Sequence, residues 1–167
     1  FSQLILLRDL RREQIQTFYN TRSQELMALA NSGNLRKAIS DLNEIRNSGF
    51  DQRSFSGEAS ILNIVTGRKQ FKSLNIITRD HSSYKIEKKQ DEFIIESDTP
   101  FQVTVEMASL FNNINDENTF FVKEQVNPNH DYHLLIMVPV IIKEEGCLAL
   151  LVSELNPEAL QSLIYDK

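Results

Sequence analysis

The segment His130-Asp131-Tyr132-His133 places two imidazoles three positions apart with a carboxylate between them. Imidazole and carboxylate groups are common zinc ligands, so the segment is a candidate for part of a metal site. The turn sequence Asn127-Pro128-Asn129 precedes it and an apolar strand follows, so the two histidines need not face the same way. We interpret the segment as a polar turn and expect no metal.

The residues that catalysis requires are present but are not arranged for it. The single cysteine, Cys147, lies in an apolar run with no base beside it, and we expect it to be a small core residue. The carboxylate pairs Asp91-Glu92 and Glu144-Glu145 fall in predicted turns, where charge is solvated. The chain has only 5 glycines and no glycine-rich phosphate loop. We therefore expect neither enzyme activity nor a cofactor.

A ligand pocket is better supported, because polar side chains interrupt apolar strands and a buried polar group needs a partner. Asn75 and Arg79 share one face of a predicted strand, and Lys123 interrupts an apolar run. If the candidates converge, Arg79 and Lys123 suit an anionic ligand and Tyr132 can stack on it. Solvated strand ends are an equally good interpretation. The candidate contacts are Asn75, Arg79, Lys123, Tyr132 and His133.

Length and charge limit the class of protein. A chain of 167 residues suits a single domain, which we predict over residues 1–167. The formal net charge is -5, and Glu87 interrupts the longest basic cluster, so nucleic acid is not the expected partner. No apolar stretch reaches the roughly 18–20 residues of a membrane-spanning helix.

The elements that must position these side chains begin with a long helix, predicted over residues 1–32. Apolar residues recur at nearly helical spacing from Leu4 to Leu29, without Pro or Gly. The apolar stripe is thin between Arg8 and Gln16, so this helix needs a partner outside its own domain: a second copy or continuation from a membrane span. Asn34 and Ser56 are the predicted N-caps of two further helices.

After Gly67 the apolar residues alternate, which predicts strands. An antiparallel meander is predicted over residues 71–78, 84–88 and 92–96. Thr99-Pro100 predicts the start of a helix that runs through Phe111, and residues 120–126 predict another strand.

Two strongly apolar runs, residues 134–142 and 147–151, flank Glu144-Glu145-Gly146, which predicts a hairpin at the centre of the sheet. Pro139 excludes a helix here and must lie at an edge or a bulge. Asn156-Pro157 predicts a terminal helix. The predicted fold is α+β, with a central antiparallel sheet of five to six strands, a long N-terminal helix and flanking helices.

Three regions carry a resemblance to a known family. Residues 12–30, followed by Leu35-Arg36-Lys37-Ala38-Ile39, resemble the long first helix and the short second helix of single Cache, or PAS-like, sensor domains. Residues 71–96 resemble their meander. Residues 137–140, 145–152 and 155–164 are similar to their closing hairpin and exit helix. The amino-acid-binding motif of double Cache domains is not matched, so the resemblance implies no ligand class.

The resemblance implies an extracytoplasmic sensor domain of a bacterial chemoreceptor, sensor kinase or diguanylate cyclase. Such a domain binds a small molecule and passes its occupancy to an output domain through the terminal helices. We expect a homodimer through the N-terminal helix, and contact with the membrane only through flanking segments. The alternative is a cytoplasmic PAS- or GAF-like regulatory or protein-interaction module.

Overall fold

The computed structural model describes residues 2–45, 71–79, 83–89, 92–97, 104–126, 132–156, 158–159 and 161–162. Three helices have both ends in this part of the chain: α1 Ser2–Ala30, α2 Gly33–Ile45 and α3 Val105–Asn113. Residues 158–159 and 161–162 are also helical. The long first helix is confirmed. Its length follows from an N-terminal sequence without a helix breaker before Gly33.

Six antiparallel strands form one sheet in the order β3-β2-β1-β6-β5-β4. The predicted α+β fold is confirmed, and so is the meander, which forms the β3-β2-β1 half of the sheet. The strands are β1 Phe71–Thr78, β2 Ser83–Lys89, β3 Glu92–Ser97, β4 Phe121–Val126, β5 Tyr132–Ile142 and β6 Gly146–Leu155.

The hairpin of β5 and β6 occupies the interior of the sheet, as its apolar sequence predicts. Pro139 is accommodated because β4 pairs with β5 only as far as Met137, so β5 has a partner on one side at the proline. Gly146 closes the hairpin with a φ of 77°, a conformation that other L-residues rarely adopt.

The two faces of the sheet carry separate apolar clusters because side chains alternate along each strand. On one face, β5 contributes Ile136, Val138 and Val140, and α1 and α2 cover them with Leu26, Leu29, Ala30, Leu35 and Ile39. On the other face, β5 contributes Leu135 and Met137, and α3 covers them with Met107 and Phe111. The central hairpin is therefore in contact with helices on both sides.

Two helix starts differ from the sequence predictions. The backbone N–H of Leu35 donates to Ser32 Oγ at 3.2 Å, so Ser32 rather than Asn34 caps α2. Thr104 caps α3 by accepting from the N–H of Met107 at 3.3 Å, five residues after the predicted Thr99. Both caps satisfy helix N–H groups that would otherwise lack partners. The predicted helix at Ser56 and most of the predicted terminal helix lie outside the described residues.

Within the described residues, no helix combines the length and hydrophobicity needed to cross a membrane.

Gly146→Ala and Gly33→Ala are expected to change stability in opposite directions. Alanine at position 146 would have to adopt the left-handed backbone of Gly146, and its Cβ would lie 3.3 Å from Arg79 Nη2. We therefore expect the free energy of unfolding to fall by about 1–2 kcal/mol. A Cβ at Gly33 meets nothing within 4 Å, and Ala is the better helix former, so we expect a gain of about 0.5–1 kcal/mol. Urea denaturation of both variants measures the difference. Equal effects would contradict the role of Gly146 in the turn.

Candidate functional site

Among the predicted site residues whose burial the structure describes, Asn75 is the most buried, with 6% of its surface exposed. It lies in β1 on the α3 face, between Lys85 of β2 and Val152 of β6 in the register of the sheet. Its carboxamide donates to Ser73 Oγ at 3.4 Å, which is long for a hydrogen bond. Among the described residues, no group donates to the Asn75 carboxamide oxygen. A buried amide with so weak a set of partners is suited to bind a ligand.

A polar strip surrounds Asn75 on the α3 face. Ser73 lies two residues earlier in β1, and β6 places Glu154 opposite Ser73. The Cα positions of Asn75 and Lys85 are directly paired, so the half-buried Lys85 supplies a cation beside the carboxamide. Ile77 and Val152 border the strip with apolar surface. The strip thus combines hydrogen-bonding groups, both signs of charge and an apolar margin.

Arg79 follows β1, and its side chain binds the hairpin turn between β5 and β6 rather than the polar strip around Asn75. Its guanidinium donates to the Glu145 carbonyl oxygen at 3.0 Å, and its backbone N–H donates to the Leu148 carbonyl oxygen at 3.2 Å. These bonds hold the Gly146 turn against the end of β1. The prediction that Arg79 shares a face with Asn75 and Ile77 agrees with the strand alternation, but the side chain is exposed and lies four residues further along.

Lys123 of β4 binds the start of α3. Its ammonium group donates to Thr104 Oγ1 at 3.2 Å and forms an ion pair with the Glu106 carboxylate. Thr104 is the N-cap and Glu106 lies in the first turn, where negative charge is favourable to a helix. Lys123 therefore fastens α3 to the edge strand of the sheet.

Tyr132 and His133 are successive residues at the start of β5, paired with Val126 and Gln125. Successive strand positions belong to opposite faces, so the two positions cannot both contribute to one face. The position of His133 belongs to the α3 face, together with Leu135 and Lys123. The position of Tyr132 belongs to the α1 face.

The five predicted residues therefore do not surround one small ligand. β1 and β4 are separated by three strand spacings, roughly 14 Å. Arg79 and Lys123 are also offset by six register positions along the strands, which puts them roughly 20–25 Å apart. Ser73, Lys85 and Glu154 were not predicted from the sequence as site residues. Strand alternation gives only the face of each strand's residues, and the pairing of β1 with β2 and β6 was needed to bring these three beside Asn75.

Two open grooves, of about 460 and 530 Å³, run along α1, and neither is lined by a predicted site residue. Within the described residues, no cluster of three or more His, Cys, Asp or Glu side chains is placed to bind a metal. His130 and Asp131 lie outside the described part of the chain. Burial raises the pKa of the Cys147 thiol to about 11, and the Arg79 guanidinium opposes this shift only in part. The thiolate of Cys147 is therefore scarce at neutral pH.

Lys123→Met is expected to lower the free energy of unfolding by about 1 kcal/mol or less, because the ion pair with Glu106 is largely exposed on the carboxylate side. Lys143→Met, in the exposed hairpin turn, is the matched control and is expected to change stability by less than about 0.5 kcal/mol. Thermal denaturation at low and high salt measures both variants. A Lys123→Met loss that does not shrink at high salt would argue against a charge-based link between β4 and α3.

Comparison with solved structures identifies the class of fold. The extracellular domain of vpHK1S-Z8, a protein assigned as a histidine kinase, superposes with a TM-score of 0.61 at 12% identity, over 97% of this chain and 60% of that one. A domain of a Vibrio parahaemolyticus protein assigned to the sensory box/GGDEF family superposes with a TM-score of 0.59 at 11% identity, over 97% of this chain and 62% of that one. The chain therefore shares its PAS-like α+β fold with these two domains.

Sequence comparison adds no closer relative: no protein-family model matches the chain, and no curated protein is significantly similar to it. The ligand-binding domain of the Campylobacter jejuni chemoreceptor Tlp3, solved with L-norvaline, is 15% identical over 94% of this chain and 62% of that one. Its TM-score of 0.42 is too low to be evidence of a shared fold. The chain spans about 60% of the length of the two solved domains that share its fold.

Proposed function

We propose that residues 1–167 form a single extracytoplasmic sensor domain of a membrane-bound bacterial receptor. It binds a small molecule on the α3 face of the sheet and passes its occupancy through the terminal helices to an output domain. The domain itself is not catalytic. The observation that carries this proposal is the buried, poorly hydrogen-bonded Asn75 on one face of a sensor-type sheet whose other face carries the long helix α1.

The ligand that best fits the polar strip is a small organic anion with a short apolar part. The Asn75 carboxamide can both donate to and accept from such a ligand, and Lys85 offers a cation for its negative group. Ile77 and Val152 offer apolar surface to the remainder. Of the five residues predicted from the sequence, we propose Asn75 as a direct contact. Arg79 and Lys123 make their bonds elsewhere, and Tyr132 and His133 belong to opposite faces.

Signal transfer in this proposal uses the central hairpin. β5 and β6 contact α3 on one face and α1 on the other, so a shift of α3 on ligand binding changes the packing beneath α1.

We also propose that the outward side of α1, including Gln14, Thr17 and Thr21, pairs with the same helix of a second copy. Sedimentation velocity measures this association. A monomer at all concentrations would contradict it.

A thermal-shift screen of small carboxylates, amino acids and amines tests the proposed function. A ligand at 100 times its Kd stabilises the folded state by about 2.7 kcal/mol, which raises the Tm of a domain of this size by roughly 5–10 °C. The affinities of the hits are then measured with two variants. We expect Lys85→Met to lose affinity for anions and the control Lys143→Met to keep the affinity of the wild-type chain. If no member of the screen stabilises the wild-type chain, the proposed ligand class is wrong.

A further inference from the structure

The first turns of α1 expose large apolar side chains to an unusual degree. Leu4, Ile5, Leu6 and Leu7 are consecutive, with 69%, 48%, 73% and 47% of their surfaces exposed, and Leu10 follows at 51%. The first α1 residues that touch the apolar cluster of the sheet are Phe18 and Tyr19. The helix rises about 1.5 Å per residue, so Leu4 lies roughly 20 Å along α1 from the first of these contacts.

The distribution of these side chains around the helix shows what kind of surface can cover them. Successive helical residues are about 100° apart, so Leu4 to Leu7 surround the whole circumference. A protein groove or a pairing helix covers one side and leaves the others in water. A helix that is apolar all round requires a surrounding apolar medium. Pairing of two copies further along α1 leaves this requirement unmet.

Three arginines lie next to the apolar turn. Arg8, Arg11 and Arg12 have the i, i+3, i+4 spacing of one helix side, and Arg8 forms an ion pair with the neighbouring Asp9 carboxylate at 2.9 Å. Arg11 and Arg12 form no ion pair with the described residues, so their guanidinium groups can bind an external anion. The whole chain carries a net charge of -5, so this local cluster runs against the overall charge. An anionic surface beside an apolar medium satisfies both features.

We propose that residues Leu4 to Arg12 of α1 bind the surface of an anionic lipid bilayer. The apolar turn enters the hydrocarbon, and the three arginines bind lipid phosphate groups at its boundary. This chain then touches the membrane itself, in addition to any flanking segment. The inference rests on the proposed membrane placement and names the partner for that end of the domain.

Vesicle binding by the complete 167-residue chain tests the inference. Because the sequence contains no Trp, Leu7→Trp introduces a single indole reporter whose emission shifts to the blue when it enters lipid. Vesicles of phosphatidylcholine with about 30 mole per cent phosphatidylglycerol are compared with vesicles of phosphatidylcholine alone. We expect binding to the anionic vesicles on the order of 30-fold tighter, since Arg11 and Arg12, which have no carboxylate partner among the described residues, each add to the attraction.

Two variants in the Leu7→Trp background separate the contributions. Arg8→Gln/Arg11→Gln/Arg12→Gln should remove the preference for anionic lipid, and Leu4→Ser/Ile5→Ser/Leu6→Ser should abolish the blue shift. The control Val105→Ser/Val122→Ser removes exposed apolar residues elsewhere and should bind vesicles as the parent does. All variants are compared only after circular dichroism shows native helix content.

The inference would be overturned if neither kind of vesicle causes a blue shift. A second result would also overturn the inference: the parent protein does not bind vesicles, and the Leu4→Ser/Ile5→Ser/Leu6→Ser variant no longer dimerises. The apolar turn would then contact a second copy of the chain. Ligand-induced thermal stabilisation is a separate measurement on the sheet. Failure of vesicle binding therefore leaves the proposed sensing function standing, and the reverse also holds.

Discussion

Met107→Ala is expected to lower the free energy of unfolding by about 2–5 kcal/mol. Met107 is 0% exposed and is one of two buried α3 residues that dock the helix onto the sheet. Removing its side chain leaves a cavity between α3 and the apolar cluster of Leu135, Met137 and Val152. Urea denaturation followed by circular dichroism measures the loss.

Val105→Ala is the matched control on the same helix, because Val105 is 88% exposed. Its expected effect is within about 0.5 kcal/mol of wild type, and the higher helix propensity of Ala makes the sign favourable. Hydrogen exchange adds a measurement of local stability. A loosened α3 should raise the rate of amide exchange in β5 and β6, which lie beneath it. Equal stability of the Met107→Ala and Val105→Ala proteins would mean that α3 is not packed as described.

Asn75→Val is expected to raise stability while weakening ligand binding. The only hydrogen bond of its side chain to the described residues is the 3.4 Å contact with Ser73, so the fold loses little when the carboxamide is removed. Val is apolar and β-branched, which suits a buried strand position. We expect a gain of about 1 kcal/mol in the free energy of unfolding, and a loss of about tenfold or more in affinity for the ligand identified by thermal shift.

Ser153→Ala provides the contrast that makes this prediction specific. Ser153 is also buried in the sheet, but its hydroxyl donates to the Ser73 carbonyl oxygen at 2.8 Å, so the bond supports the fold. Its removal should cost about 1 kcal/mol and leave ligand affinity unchanged. If instead Asn75→Val is destabilising and binds ligand as tightly as wild type, Asn75 is an ordinary structural residue and the proposed site is wrong.

The opposite signs expected at Asn75 and Ser153 illustrate a general property of functional sites. A sequence that folds well satisfies its buried polar groups, and exceptions tend to occur where a ligand completes the set. In this chain the weakly bonded Asn75 carboxamide lies on the face covered by α3, whereas the α1 face is packed by a continuous apolar cluster. In the proposed function, the α3 face binds the ligand and the α1 face transmits the change.

The sequence was sufficient to predict the architecture because the architecture depends on local periodicity. Alternation in residues 71–96 identified the meander, and near-continuous apolarity on both sides of Gly146 identified a hairpin buried on both faces. Pro139 correctly excluded a helix. Capping was harder to predict, since Ser32, Asn34, Thr99 and Thr104 are all acceptable N-caps and only packing selects among them.

The candidate site was predicted only in part. Strand alternation was enough to place Asn75 on one face with Ile77, but the lateral position of Lys123 depends on the order β1-β6-β5-β4, which no local pattern encodes. Long-range pairing put Lys123 at an edge beside Thr104, and put Lys85 next to Asn75. The sequence by itself thus determined which residues are strands, helices and buried faces, because these follow from the period of the side chains. Only the tertiary structure decided which polar groups meet, because that depends on contacts between segments far apart in the chain.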